Sequence, residues 1–132
     1  MAYLKPPTFV RKVFNPLAMR LGMGGSQTLV VPRRKSGGEQ VLPVIPVEHE
    51  GARYIVSTRG ESDWVKNLRA AGGRGEIRRG RWTGTFTATE IPADRREAII
   101  ATYREVAGKT VEGYWKKLPD AKDHPTFRIE QG

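Results

Sequence analysis

The run Tyr54-Ile55-Val56-Ser57-Thr58-Arg59-Gly60-Glu61-Ser62-Asp63-Trp64 changes character twice within a short space. Its apolar, β-branched start predicts a buried strand over Ala52 to Thr58. Arg59-Gly60 then predicts a turn, and Ser62-Asp63-Trp64 opens a helix running to Ala71. A cation, a glycine backbone and helix N–H groups therefore meet at one point, a combination suited to an anion. Upstream, Thr28 to Val31 runs into Arg33-Arg34-Lys35-Ser36-Gly37-Gly38, a second cationic, glycine-containing strand exit. Two such exits in one small domain point to a ligand with a phosphate or carboxylate tail and a flat head lying along a strand.

Working outward, Val41 to Val47 is apolar but interrupted by Pro43 and Pro46, which predicts an irregular edge strand with backbone groups free for a ligand. His49 to Ala52 predicts a turn with Gly51 at positive φ. Trp64, Val65 and Leu68 share one face of the helix, with Lys66 and Arg69 elsewhere, and Gly72-Gly73 stops it. Glu76 to Arg78 and Trp82 to Thr89 predict a hairpin turning near Arg79-Gly80, its threonines on a wet face. A helix over Ala93 to Ala107 is expected, with Ile99, Ile100, Tyr103 and Val106 as its core stripe. Another is expected over Val111 to Leu118, and a last strand at Pro125 to Ile129. Five or six short strands with a few peripheral helices predict an α+β domain, a small antiparallel barrel.

The chain has 132 residues, the size of one domain covering 1–132. Residues 1–25 are expected to form a helical segment packed on or beside the barrel, in two short pieces: one with Phe9, Val13 and Phe14 at helical spacing, and one restarted by Asn15-Pro16 with Leu17, Ala18 and Leu21; a basic amphipathic piece of this kind also suits a membrane surface. Residues 1–81 hold 15 Lys/Arg against 6 Asp/Glu, whereas residues 82–132 hold 8 against 8, so the whole excess of +9 belongs to the front portion. Nucleic acid, an anionic membrane surface and an anionic small ligand are the partners such a charge serves. With no cysteine, thiolate catalysis, disulfides and thiolate zinc sites are excluded, a composition compatible with the cytoplasm.

The usual catalytic groups are nearly absent. His49 and His124 fall in predicted turns and read as exposed loop residues, and no spacing suggests a metal. No serine has a credible base, so hydrolysis is poorly supported. If this is an enzyme, a cofactor supplies the reactivity. Arg34, Lys35, Ser36 and Gly37 form a possible phosphate cradle or a solvated turn, and Arg59 an anion site or the partner of Glu61 or Asp63. Trp64 reads chiefly as core and Asn67 as a surface residue, while Tyr114-Trp115 either walls a pocket or fills a gap.

Four blocks in order carry a resemblance: Arg34-Lys35-Ser36-Gly37, Pro43-Val44-Ile45, Tyr54 to Gly60, and Trp64-Val65-Lys66-Asn67-Leu68. Together they resemble the deazaflavin-dependent nitroreductase family, small actinobacterial oxidoreductases with a split β-barrel related to flavin-binding barrels. The resemblance implies a reductase using coenzyme F420, an 8-hydroxy-5-deazaflavin with a phosphate–polyglutamate tail, with FMN as the alternative. Carried over by position, Arg34, Lys35, Ser36 and Gly37 would meet the tail, and Pro43, Val44 and Ile45 would run beside the ring. Ser57, Thr58, Arg59 and Gly60 would form the other wall, with Trp64 and Asn67 closing the site. Hydride would pass to an enone, quinone or nitroaromatic, and Thr58 or Tyr114 would supply a proton. The chain departs from the family's best-known nitroreductase at Gln40, Ile45 and Thr58-Arg59, and in a shorter loop before Trp64. The rival readings are a non-catalytic deazaflavin or flavin carrier and a basic barrel gripping single-stranded nucleic acid.

Overall fold

A computed structural model describes residues 26–79 and 82–131. The expectations for residues 1–25 lie outside the described residues. Seven strands, not five or six, form one antiparallel sheet: β1 (Gln27–Pro32), β2 (Glu39–Val44), β3 (Val47–His49), β4 (Ala52–Val56), β5 (Arg74–Arg79), β6 (Trp82–Glu90) and β7 (Thr126–Gln131). Their spatial order is β2-β1-β5-β6-β7-β4-β3.

The extra strand comes from Val41–Val47, expected as one irregular edge. The chain breaks at Ile45-Pro46, and the pieces on either side become β2 and β3, at opposite ends of the sheet. Pro43 is tolerated because β2 has a strand neighbour on one side only. Only three Cα–Cα steps of about 3.8 Å separate Val44 from Val47, so the two ends of the sheet lie within about 11 Å of each other. The sheet must therefore curl until its edges nearly meet, which gives it the form of a barrel. β3 returns into β4 through Glu50-Gly51, with φ of 49° and 80°, the pair of positive values that a two-residue type I′ hairpin needs.

Helix α1 (Asp63–Ala70) packs Trp64, Val65 and Leu68 against Leu29, Val31, Ile55, Ile77, Phe86, Phe127 and Ile129 in the barrel interior. It ends as the glycine pair predicts. Gly72 N–H bonds the Arg69 carbonyl at 3.1 Å and Gly73 N–H the Leu68 carbonyl at 2.9 Å, the two bonds of a Schellman motif.

Helices α2 (Glu97–Ala107) and α3 (Lys109–Lys117) cover the outer side of β3 and β4. β4 is buried on both faces: Ile55 points into the barrel, Tyr54 and Val56 into the helical layer. That double burial explains its unbroken apolar run. The strand stops at Val56 rather than Thr58, where Ser57 leaves the ladder.

Four further expectations are corrected. The helix over Ala93 to Ala107 is a 3-10 turn at Ala93–Arg95 followed by α2. The break falls at Arg96, whose buried guanidinium reaches the Ile91 carbonyl (2.8 Å), the Lys122 carbonyl (3.1 Å) and Glu90 (3.2 Å). Val106 is 58 % exposed, because the stripe continues from Tyr103 by four residues, to Ala107, not by three. His124 is not an exposed loop residue but fully buried, stacked on Trp115 at 4.0 Å and bonded to two backbone carbonyls. His49 is half-buried, its Nδ1 2.8 Å from Thr102 Oγ1. Among the described residues no helix is long and apolar enough to cross a membrane.

Candidate functional site

α1 joins the two cationic strand exits. At the first, the β1–β2 turn, Asn67 Oδ1 accepts from the Arg34 backbone N–H (3.1 Å) and from Arg34 Nη1 (2.7 Å). The Asn67 amide then donates to Gln40 Oε1 at 2.8 Å. Asn67 is buried, not the surface residue its place on the polar side of the helix suggests, and it is the post on which the turn is built. Arg34 Nη2 also lies 3.5 Å from the Asp63 carboxylate. These bonds leave Arg33, Lys35 and Ser36 at the surface, around a cleft of about 210 Å³ whose lining also includes Arg34, Asp63 and Asn67. Lys35 has no ion-pair partner among the described residues, and Gly37 turns the chain at φ 76°. The outer edge of β2, with exposed Pro43 and half-buried Val44 leading to half-buried Ile45, faces no strand.

At the second exit, Ser57 is buried and wholly occupied. Its hydroxyl donates to the Gly60 carbonyl at 2.6 Å, and its N–H donates to the Pro125 carbonyl at 2.9 Å. Ser57 therefore holds the wall up from behind. Thr58 is half-buried and makes no hydrogen bond among the described residues; Gly60 is buried at φ 82°. Arg59 does not pair with Glu61 or Asp63, which are engaged by Arg69 and Arg34. Its Nη2 donates to Tyr114 Oη at 3.1 Å, and its guanidinium stands 5.3 Å from the centre of that ring. Its Nε is buried with no hydrogen-bond partner among the described residues. Trp64 is core, 5.8 Å from Phe127 between ring centres.

Glu61, the acid next but one to Arg59 in the chain, is drawn away by Arg69. The Arg69 guanidinium bonded to it holds the Glu61 carboxyl below its ordinary 4.5. Arg69 is in turn driven further toward the cation by its bonds to Glu90 and Glu61. Burial pushes the Tyr103 phenol up to about 12; Tyr114 adds to that and Arg59 opposes it. Tyr103 is thus a neutral neighbour of the Arg59–Tyr114 pair.

An unsatisfied buried donor is costly, so the Arg59 N–H is open to an acceptor; the exposed Lys35 is open to an anion. A larger cavity of about 620 Å³, with Gln27, Gly51, Arg53, Ile77 and Phe86 in its lining, contains neither exit. It adjoins the start of β1, where the chain enters from residues 1–25. The smaller cleft contains the first exit and two residues of α1. The single-strand nucleic-acid reading needs exposed aromatic platforms. Among the residues with described side chains, the exposed large apolar ones are Val41 and Val106. Gln40, marked in the sequence only as a departure from the resembled family, and Asp63, marked as a helix opener and a partner for Arg59, both build the turn.

A family model described as F420H(2)-dependent quinone reductase matches residues 8–118. Among solved structures, one described as an F420-H2-dependent reductase (FDR-A) is 22% identical, with 80% of this chain and 94% of that one covered, at TM-score 0.61. One described as a domain-swapped dimer is 20% identical, covering 96% and 100%, at TM-score 0.60. HutZ, described as the heme storage protein of Vibrio cholerae, is 14% identical, covering 88% and 87%, at TM-score 0.60. At such identities the likeness is one of fold, the split β-barrel. A search of curated proteins found no match.

Proposed function

The chain belongs to the F420H(2)-dependent quinone reductase family, and on that premise we propose that it reduces an electron-poor small molecule, a quinone first and an enone or nitroaromatic by the same chemistry. It is an F420-dependent oxidoreductase. When bound, the reduced deazaflavin supplies the hydride. A quinone that gains one hydride and one proton becomes a hydroquinone, so the protein must position the acceptor, exclude water and deliver the proton.

Each task has residues suited to it. Lys35, Arg33 and Ser36, around a turn fixed by Arg34 on Asn67, bind the acidic tail. The free edge of β2 through Pro43, Val44 and Ile45 offers backbone groups to the ring edge. Thr58, Arg59 and Gly60 form the facing wall, where the unpaired Arg59 N–H meets a ligand oxygen. Tyr114 accepts a hydrogen bond from Arg59, which leaves its own O–H free to donate. A cation beside the ring stabilises the phenolate left behind, so we assign the proton to Tyr114 rather than Thr58.

The observation that carries this reading is the cleft with unpaired Lys35 on its rim, one helix away from the orphaned Arg59 N–H. Anaerobic mixing with reduced coenzyme and a soluble quinone tests it. Acceptor-dependent loss of the reduced coenzyme is expected. Tight binding with no turnover of quinone, enone or nitroaromatic would make the protein a carrier. Co-sedimentation with anionic vesicles tests whether the basic segment before β1 also draws the enzyme to a membrane that holds a lipid quinone.

A further inference from the structure

We propose that His124 is a positioning residue: its imidazole clamps the strand exit carrying Arg59 to the helix carrying Tyr114 and so fixes the Arg59–Tyr114 pair. The inference rests on the site assigned above.

His124 is fully buried. Its Nδ1 lies 2.8 Å from the Ser57 carbonyl oxygen and its Nε2 2.7 Å from the Leu118 carbonyl oxygen. Each of these carbonyls leads directly to one half of the pair. Ser57 lies two residues before Arg59 in the chain. Leu118 N–H donates to the Tyr114 carbonyl at 2.8 Å, the last bond of α3. The contact between Arg59 Nη2 and Tyr114 Oη closes the circuit. Tyr114, Leu118, His124, Ser57 and Arg59 thus form a continuous ring of bonds with the imidazole as its hub.

Each ring nitrogen points at a backbone carbonyl oxygen, an acceptor that a ring N–H serves. The Trp115 indole lies parallel to the imidazole at 4.0 Å, with 10° between planes, and fixes the plane in which the two nitrogens face the two carbonyls. His124 touches none of the proposed ligand-binding residues through its own ring except the Ser57 backbone, so its effect on the reaction passes through Arg59 and Tyr114.

Two measurements test this. The first is a long-range ¹H–¹⁵N spectrum of the His124 ring in the cofactor-free protein. A ring N–H hydrogen-bonded to the Ser57 or the Leu118 carbonyl and protected from solvent exchange is expected, and a ring exchanging freely with solvent would overturn the clamp. The second is a double-mutant cycle of His124→Gln with Arg59→Ala, read as affinity for oxidised deazaflavin. Glutamine serves one carbonyl at most, so H124Q is expected to weaken binding about 10-fold in the wild-type background, the scale of one buried hydrogen bond. In the R59A background it should change binding by less than about 2-fold, because the residue it positions is gone. Equal factors in both backgrounds would show a merely structural histidine and overturn the proposal. Should H124Q not fold, the ring spectrum still decides. If the wild-type protein binds no deazaflavin, the site reading fails, while the clamp is judged by the spectrum alone.

Discussion

Arg59 Nη2 lies 3.1 Å from Tyr114 Oη, joining residues 55 positions apart across the barrel wall and the helical layer. The pair unites a cation with the half-buried phenol of Tyr114, and in the proposed site an acceptor's oxygen rests beside it. Tyr114→Phe removes the hydroxyl and keeps the ring stack. We expect kcat to fall about 100-fold, the scale of a positioned proton donor, with coenzyme affinity changed by less than about 3-fold, as a loss confined to the transition state requires. Steady-state kinetics with a quinone acceptor check this. An unchanged kcat would move the proton to Thr58 or to solvent.

Lys35 has no ion-pair partner among the described residues, so in the proposed site its charge is available to the tail. Lys35→Ala should raise the coenzyme dissociation constant about 10-fold, the worth of one charge-assisted hydrogen bond. Raising salt from low to about 0.5 M should weaken wild-type binding and narrow the gap between wild type and variant, because exposed charges are screened. Isothermal titration at two ionic strengths reads both effects.

Gly73 is the position where the backbone itself forbids a side chain. At φ 85°, a Cβ there would stand 2.2 Å from the Ala88 carbonyl oxygen, in the next strand pair. Gly73→Ala is expected to destabilise the fold by about 2–4 kcal/mol, combining a left-handed conformation with a backbone clash. Thermal melting should show it as a fall of about 5 °C or more. Gly72→Ala also pays the positive φ, but nothing lies within 4 Å of its added carbon, so its cost should be smaller.

Acid and alkali should act through different groups. The Glu61 carboxyl is held below 4.5 by its bond to Arg69, so its contribution is present above that value and lost as pH falls through the lower folded-state value. Tyr103 runs the other way: its phenol is raised from 10.0 to about 12 by burial, so its contribution is full below 10 and fades as pH climbs toward 12. Denaturant unfolding across pH should be level between these limits. Glu61→Gln should flatten the acid limb and leave the alkaline limb alone.

The elements with a strong local signal were legible in the sequence. α1 announced itself by its apolar face and closing glycines, β4 by its β-branched run, and the Glu50-Gly51 turn by composition. The barrel's closure was not, because Ile45-Pro46 read as an irregularity within one strand; that it separates opposite ends of a sheet is a fact of long-range pairing. The cationic exits were visible as pattern, but the inward turn of Arg34 depends on Asn67 and Gln40, which the chain brings together over about 30 residues. His124 was misjudged for a related reason: a histidine before a proline reads as loop, and its burial comes from carbonyls 67 and 6 residues away in the chain.

The central claim is that the cations of the front portion seat the acidic tail of a deazaflavin. Fluorescence titration with the full coenzyme and with a deazaflavin lacking the phosphate–glutamate tail tests it most directly. Micromolar binding of the full coenzyme, at least about 10-fold tighter than the tail-less form, is the predicted result. Equal affinity for the two, or no binding of either, would contradict it.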